Sequence, residues 1–189
     1  MRAIIISGMP AAGKTTVAKI LSKELGLKMV GAGDFLKEMA KDRGYIPGGD
    51  DWWDTAEGIR FMRERETNPD FDKEVDARLL KKLEQGNVIA TSYTAPWISK
   101  SGFKVWLKAE SKSRAERMAK RDNTGLKQTI KTTKIRDVEN YRIYKGLYNM
   151  EFGKDLSPFD LIVDTDGIAP EEVARIILNK LKELKELGA

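Results

Sequence analysis

Nine consecutive residues near the start of the chain could do chemistry: Gly8-Met9-Pro10-Ala11-Ala12-Gly13-Lys14-Thr15-Thr16. They fit G-x-x-x-x-G-K-[ST] at every fixed position. Glycine lets the backbone turn sharply and come close to an anion. The exposed N–H groups of such a loop, and the first turn of a helix opening after Gly13, favour negative charge. Lys14 offers a point charge to the β- and γ-phosphates. The Thr15 hydroxyl is a ligand for Mg²⁺. The chemistry implied is capture of a nucleoside triphosphate, with ATP and Mg²⁺ the expected cofactors. An ordinary tight strand-to-helix turn is the competing reading. Against it, the motif follows an apolar run and opens a helical pattern, the context that the phosphate-binding function requires.

Histidine and cysteine are both absent. That excludes disulfides, thiolate metal sites, imidazole bases and the commonest zinc ligand. Any catalysis must run on lysine, arginine, carboxylates, hydroxyls and backbone amides. Phosphoryl transfer needs little else, because it depends on positioning and charge stabilisation. A phosphate acceptor is already ionised and needs no base. A hydroxyl acceptor would need a carboxylate, for which Asp34 is the candidate. The net charge of +5 suits a small anionic acceptor, a nucleotide for example. Nucleic acid is a weaker expectation, since no dense basic stripe stands out. No segment has the length and apolarity of a membrane span, and the N-terminus lacks a signal-peptide layout, so a cytoplasmic protein is expected. A charged fraction of 33% rich in Lys and Glu suits a thermophile. Monomer and dimer both remain open.

The elements that must position these residues alternate between strand and helix, the pattern of an α/β domain with a parallel sheet. Apolar runs predict strands at 3–7, 27–30, 88–92, 103–107 and 160–164. Helical spacing covers 14–25, 33–41, 54–66, 71–85, 111–121, 127–148 and 170–187, with Pro170 in the first turn of the last. The 189 residues form one domain. Its core is 1–33, 86–122 and 155–189. Segments of about 34–85 and about 123–154 lie between its parts.

Four stretches carry a family resemblance: the loop Gly-x-Pro-x-x-Gly-Lys-Thr-Thr, the helix from Gly33 to Ala40, the arginine-rich middle, and Asp155-Leu156-Ser157-Pro158-Phe159-Asp160-Leu161-Ile162-Val163-Asp164-Thr165. Together they resemble the nucleoside-monophosphate kinases, the archaeal type of cytidylate kinase in particular. The resemblance implies a P-loop NTPase fold: three α/β/α layers, a five-stranded parallel sheet, a mobile lid with its following helix at about 123–154 and acceptor-binding helices at about 34–85. It implies that Arg117 and Arg121, one turn apart, border the donor phosphates. Arg136 and Arg142 resemble later lid arginines, with spacing off by one residue. Lys14, Arg117, Arg121 and Arg136 are thus the candidate catalytic residues. The alternative for the arginines is a solvated basic helix face. The loop from Asp164 to Gly167 would back the adenine, or simply cap a neighbouring helix through Thr165 or Asp166. Asp34, Lys37, Asp72, Asp76 and Tyr93 match acceptor-side positions. Asp72 and Asp76 also read as a helix face pairing with Lys73 and Arg78. Trp52 and Trp53 read as hydrophobic anchors ahead of base-stacking platforms.

The acceptor half departs from the family pattern. Lys37 stands where the family has an arginine, keeping charge but losing the bidentate fork. Thr91, Ser92 and Tyr93 stand where it has Glu-Gly-Arg, so a metal-shell carboxylate and a phosphate-binding guanidinium are missing together. Three readings stay open. Lys37 with a distant base such as Arg60 or Arg63 holds a monophosphate. Or the acceptor lacks a phosphate and is read by Ser92, Tyr93 and Trp97. Or the chain is an ATP-binding assembly factor that transfers nothing to a small molecule.

Overall fold

The computed structural model describes residues 2–48, 52, 55–66, 68 and 70–186. A five-stranded, wholly parallel sheet runs β2 (Lys28–Gly31), β3 (Val88–Thr91), β1 (Ile4–Gly8), β4 (Phe103–Lys108), β5 (Leu161–Asp164). β1 sits at the centre, and all five of its residues are buried. A strand covered on both faces must be apolar throughout, which is why 4–8 reads as a run and not an alternation. Helices α1 (Lys14–Leu25), α2 (Ala32–Asp42), α3 (Ala56–Glu66), α4 (Asp70–Glu84), α5 (Ala95–Ile98), α6 (Ser111–Asp122), α7 (Leu126–Tyr148) and α8 (Pro170–Glu186) complete the described elements.

Period-two alternation along β1 feeds two cores. Ile4 and Ile6 face α1 and α8, where Val17, Leu21, Val173 and Ile177 close over them. Ala3 and Ile5 face the other way and meet Leu79 and Leu83 of α4. Each such aliphatic side chain, fully buried, contributes about 1.5–3 kcal/mol. This is the expected three-layer α/β/α arrangement. The predicted boundaries shift by two residues at most. The one described element that periodicity missed is α5. Its four residues, Pro96 among them, are too short to show a period.

A third cluster roofs the acceptor side. Trp52, Phe61 and Phe71 pack with Leu36, Met39 and Ala40, and Phe61 meets both Phe71 and Tyr45 edge-on. Trp52 is therefore an anchor, as expected; Trp53 lies outside the described residues. The segment expected to hold a lid is one continuous helix of 23 residues, α7. Its C-terminal end joins an aromatic cluster with Trp106, Tyr144, Met150 and Phe152.

Candidate active site

The phosphate loop links the end of β1 to the start of α1. Gly8 adopts φ +150°, and a Cβ there would lie 2.5 Å from the Leu107 carbonyl oxygen, so only glycine fits. Gly13, at φ 98°, turns the chain into α1. Between them Ala11 takes the left-handed conformation at φ 62°, the alternation that builds an anion nest from successive N–H groups. Lys14 reaches back over the loop and donates to the carbonyls of Gly8 and Met9 at 2.8 and 2.9 Å. Packing around its half-buried ammonium and the nearby Arg114 guanidinium lower its pKa from 10.5 to about 7.

One cleft of about 980 Å³ opens beside this loop. Pro10 to Thr16 floor it. Arg117, Arg121, Arg136 and Thr165 line one side, and Gly31, Asp34, Lys37, Thr91 and Tyr93 the other. Thus the structure brings together the donor-side and acceptor-side residues that sequence spacing kept far apart. They meet because β1, β3, β4 and β5 all end within about three residues of one another at the carboxyl edge of the sheet, where open α/β sheets place their ligands.

Each arginine has a definite place. Arg117, half-buried on α6, donates to the Thr165 hydroxyl at 3.0 Å and to the Thr165 carbonyl, and touches the Ala12 carbonyl at 3.4 Å. It thereby ties the loop after β5 to the phosphate loop. Arg121 is exposed at the cleft rim and forms a fork with Asp122. Arg136 enters the cleft wall from α7, whereas Arg142 is exposed on the same helix and is not among the lining residues. Asp166 accepts from the Glu110 N–H at 2.8 Å, ahead of α6. That bond fixes the loop against the residue ahead of α6, while Thr165 lines the cleft.

On the acceptor side the placements are mixed. Asp34 is exposed at the cleft, and one of its oxygens accepts the Gly31 N–H at 2.9 Å, bracing the first turn of α2. Lys37 is half-buried one turn later. The Tyr93 ring lies with its centre 4.5 Å from the Lys14 ammonium. Asp76 is elsewhere. It is 5% exposed, accepts from the Thr94 and Tyr148 hydroxyls, and is not among the lining residues. The reason is that α4 turns this face toward α5 and the end of α7. Asp72, on the same helix, is half-buried near Tyr148. Burial and the bond to Asp76 raise the Tyr148 phenol well above its ordinary pKa.

Ser92 is buried and accepts the N–H groups of Thr94 and Ala95. Trp97 meets Trp106 and Phe159 edge-on. Of the triplet Ser92, Tyr93 and Trp97, only Tyr93 faces the cleft. Arg60 lies over Tyr45 in a separate shallow hollow with Arg43, Glu57 and Glu64, and Arg63 is exposed on α3. Neither lines the cleft. Sequence reasoning assigned no role to Arg114, which is 3% exposed and grips Asp137 with both ends of its guanidinium. Spacing alone gives no sign of it, because Asp137 is 23 residues away.

Among the described residues no three acidic side chains converge as a metal cage. The donor set instead fits Mg²⁺, which takes one or two protein oxygens and completes its shell with phosphate and water. The exposed Thr15 hydroxyl at the cleft floor would supply one such oxygen.

Fold and cleft define the class: a P-loop kinase, with its phosphate loop opening onto one cavity. The family model described as an AAA domain matches residues 4–143. The cytidylate kinase of Pyrobaculum islandicum is 34% identical over 181 residues, covering 95% of this chain and 92% of that one. That of Methanocaldococcus jannaschii is 34% identical over 188 residues, covering 97% and 99%. In overall shape the chain is similar to an Acinetobacter baumannii shikimate kinase solved with shikimate (TM-score 0.57, 21% identity, 98% and 95% covered). It is also similar to an uncharacterised Eubacterium ventriosum protein (TM-score 0.69, 15% identity, 96% and 98% covered). The chain belongs to the nucleoside-monophosphate kinase family of P-loop kinases, on its archaeal cytidylate kinase branch. No helix of the described residues is long and apolar enough to cross a membrane.

Proposed function

We propose that the protein transfers the γ-phosphoryl group of ATP to CMP. One observation carries this: a single cleft joins the phosphate loop to Asp34, Lys37, Thr91 and Tyr93, so donor and acceptor meet in one cavity. The N–H groups of the loop hold the donor phosphates, and the Lys14 ammonium moves from its carbonyl partners onto the β/γ oxygens. Arg136, Arg121 and Arg117 border the same space and offset charge on the group in flight, a contribution worth orders of magnitude in rate. Thr15 would hold Mg²⁺, which would supply charge neutralisation for the transferring phosphoryl group. Lys37 is the acceptor-side cation, and the acceptor oxygen is ionised and asks for no base. The relatives' activity toward cytidylate supports the choice of CMP. A coupled assay of the purified protein with Mg-ATP and a panel of monophosphates tests it. Turnover with CMP above AMP, GMP and UMP is expected, and no turnover with any of the four defeats the proposal.

A second reading rests on Tyr93. A phenol ring faces the cleft where a guanidinium would hold an acceptor phosphate, which favours an acceptor without one, deprotonated by Asp34. Tyr93→Arg separates the two. If it creates or greatly raises monophosphate kinase activity, the native acceptor is an unphosphorylated molecule.

A further inference from the structure

Arg114 lies outside the cleft lining yet makes more of the site than most residues within it. Its Nη1 donates to the Pro10 carbonyl at 3.2 Å and to Asp137 Oδ1 at 2.9 Å, while Nη2 meets Asp137 Oδ2 at 2.6 Å. One guanidinium on α6 therefore holds both the phosphate loop and α7. We propose that Arg114 and Asp137 form a positioning pair that orients the phosphate loop and Arg136 together on the transferring phosphoryl group. This rests on the phosphotransfer reading of the cleft.

Peptide geometry supplies the first half. In a trans peptide the C=O of one residue and the N–H of the next point in opposite directions, and no described peptide bond is cis. Arg114 holds the Pro10 carbonyl from behind, so the Ala11 N–H is aimed the other way. Arg117, one turn along α6, does the same more loosely through the Ala12 carbonyl at 3.4 Å, which aims the Gly13 N–H. Pro10, Ala11, Ala12 and Gly13 all line the cleft. The anion nest is thus held in register from outside, and the left-handed Ala11 lies in the clamped stretch.

Sequence adjacency supplies the second half. Asp137 is the neighbour of Arg136, so fixing the Asp137 carboxylate fixes the turn of α7 that presents Arg136 to the cleft. Stability alone does not account for the pair. Buried ion pairs seldom stabilise more than apolar residues of the same volume, and the Arg114 Nε is buried with no hydrogen-bond partner, a cost that a purely structural contact has no reason to keep.

The test uses the 189-residue protein and five variants. Asp137→Asn and Arg114→Lys should each lower kcat about 10²-fold, the cost of a misplacement near 1 Å, and should lower Tm. The paired change Arg114→Met with Asp137→Leu should restore Tm toward wild type while kcat stays low. Arg136→Ala combined with Asp137→Asn should cost less in kcat than the product of the two single effects. If kcat recovers together with Tm in the paired variant, or if the Arg136 and Asp137 effects multiply, the pair is merely structural and the proposal falls. An active wild type with equally active variants sinks the proposal alone. A wild type that phosphorylates no acceptor sinks the phosphotransfer reading and the proposal with it.

Discussion

The ammonium of Lys14 sits against the face of Tyr93, 4.5 Å from the ring centre, while it donates to two carbonyls of its own loop. Phosphate binding must draw the cation out of this cradle, so the charge that grips the nucleotide is stored in a desolvated position. Lys14→Met should lower kcat about 10²–10³-fold, the range seen when a charge-stabilising donor is removed. It should not lower Tm, since a half-buried, partly desolvated cation is replaced by an apolar side chain of similar length. Steady-state kinetics and a melting curve check both halves.

The same burial gives a pH dependence with a definite sign. Lys14 titrates near 7 in the folded protein against 10.5 when unfolded. Below about pH 7 both states carry the proton and the cost of burying it is present in full. As pH rises from about 7 toward 10.5, the folded state sheds a proton that the unfolded chain keeps, so this group raises stability with pH. Triphosphate reverses the shift by placing negative charge at the ammonium. ATP binding should therefore take up a proton at pH values above about 7, and affinity should fall as pH climbs. Calorimetry at pH 8.5 in buffers of different ionisation heat measures the uptake; zero uptake would contradict the placement of Lys14.

Trp52 is 4% exposed, packs on Tyr45 and Phe61, and donates its indole N–H to Glu57. Trp52→Ala should cost about 3–5 kcal/mol. The roof over the acceptor side rests on this anchor, so KM for the acceptor should rise more than KM for ATP. Chemical denaturation and two-substrate kinetics report the two effects.

Asp76 joins α4 to α5 and to the end of α7 through Thr94 and Tyr148. Asp76→Asn should destabilise by about 1.5–3 kcal/mol, the worth of hydrogen bonds to a charged group. Acceptor KM should change by less than about twofold, since the side chain is absent from the cleft lining. A large KM effect at unchanged stability would return Asp76 to the acceptor site.

Arg117→Ala should weaken ATP more than acceptor, because it releases the loop carrying Thr165 from the phosphate loop. An approximately 10-fold or greater rise in ATP KM is expected, in line with the loss of a charged hydrogen bond of about 1.5–3 kcal/mol. Initial-rate kinetics at saturating acceptor decide it.

The Gly8–Thr16 segment was legible in the chain because its function is local. The backbone conformations, the helix start and the lysine all lie within nine residues, and each demands a particular residue type. The strand order could be anticipated as parallel from alternating elements, and the buried character of β1 from its unbroken apolar run. Asp34 and Lys37 were legible as the start of a helix that faces the cleft. Asp76 read the same way as Asp72, one turn apart, and only packing against Thr94 and Tyr148 distinguishes them.

The sequence by itself determined the nucleotide cradle, the α/β class and the apolar faces, since these depend on residue type and on periods of two to four residues. Tertiary structure decided what the arginines and carboxylates do. Arg114 meets Pro10 across 104 residues and Asp137 across 23, and Tyr148 meets Asp76 across 72. A charged side chain on a helix has many possible partners, and the energy that selects one comes from how the helices dock on the sheet, which no local spacing records.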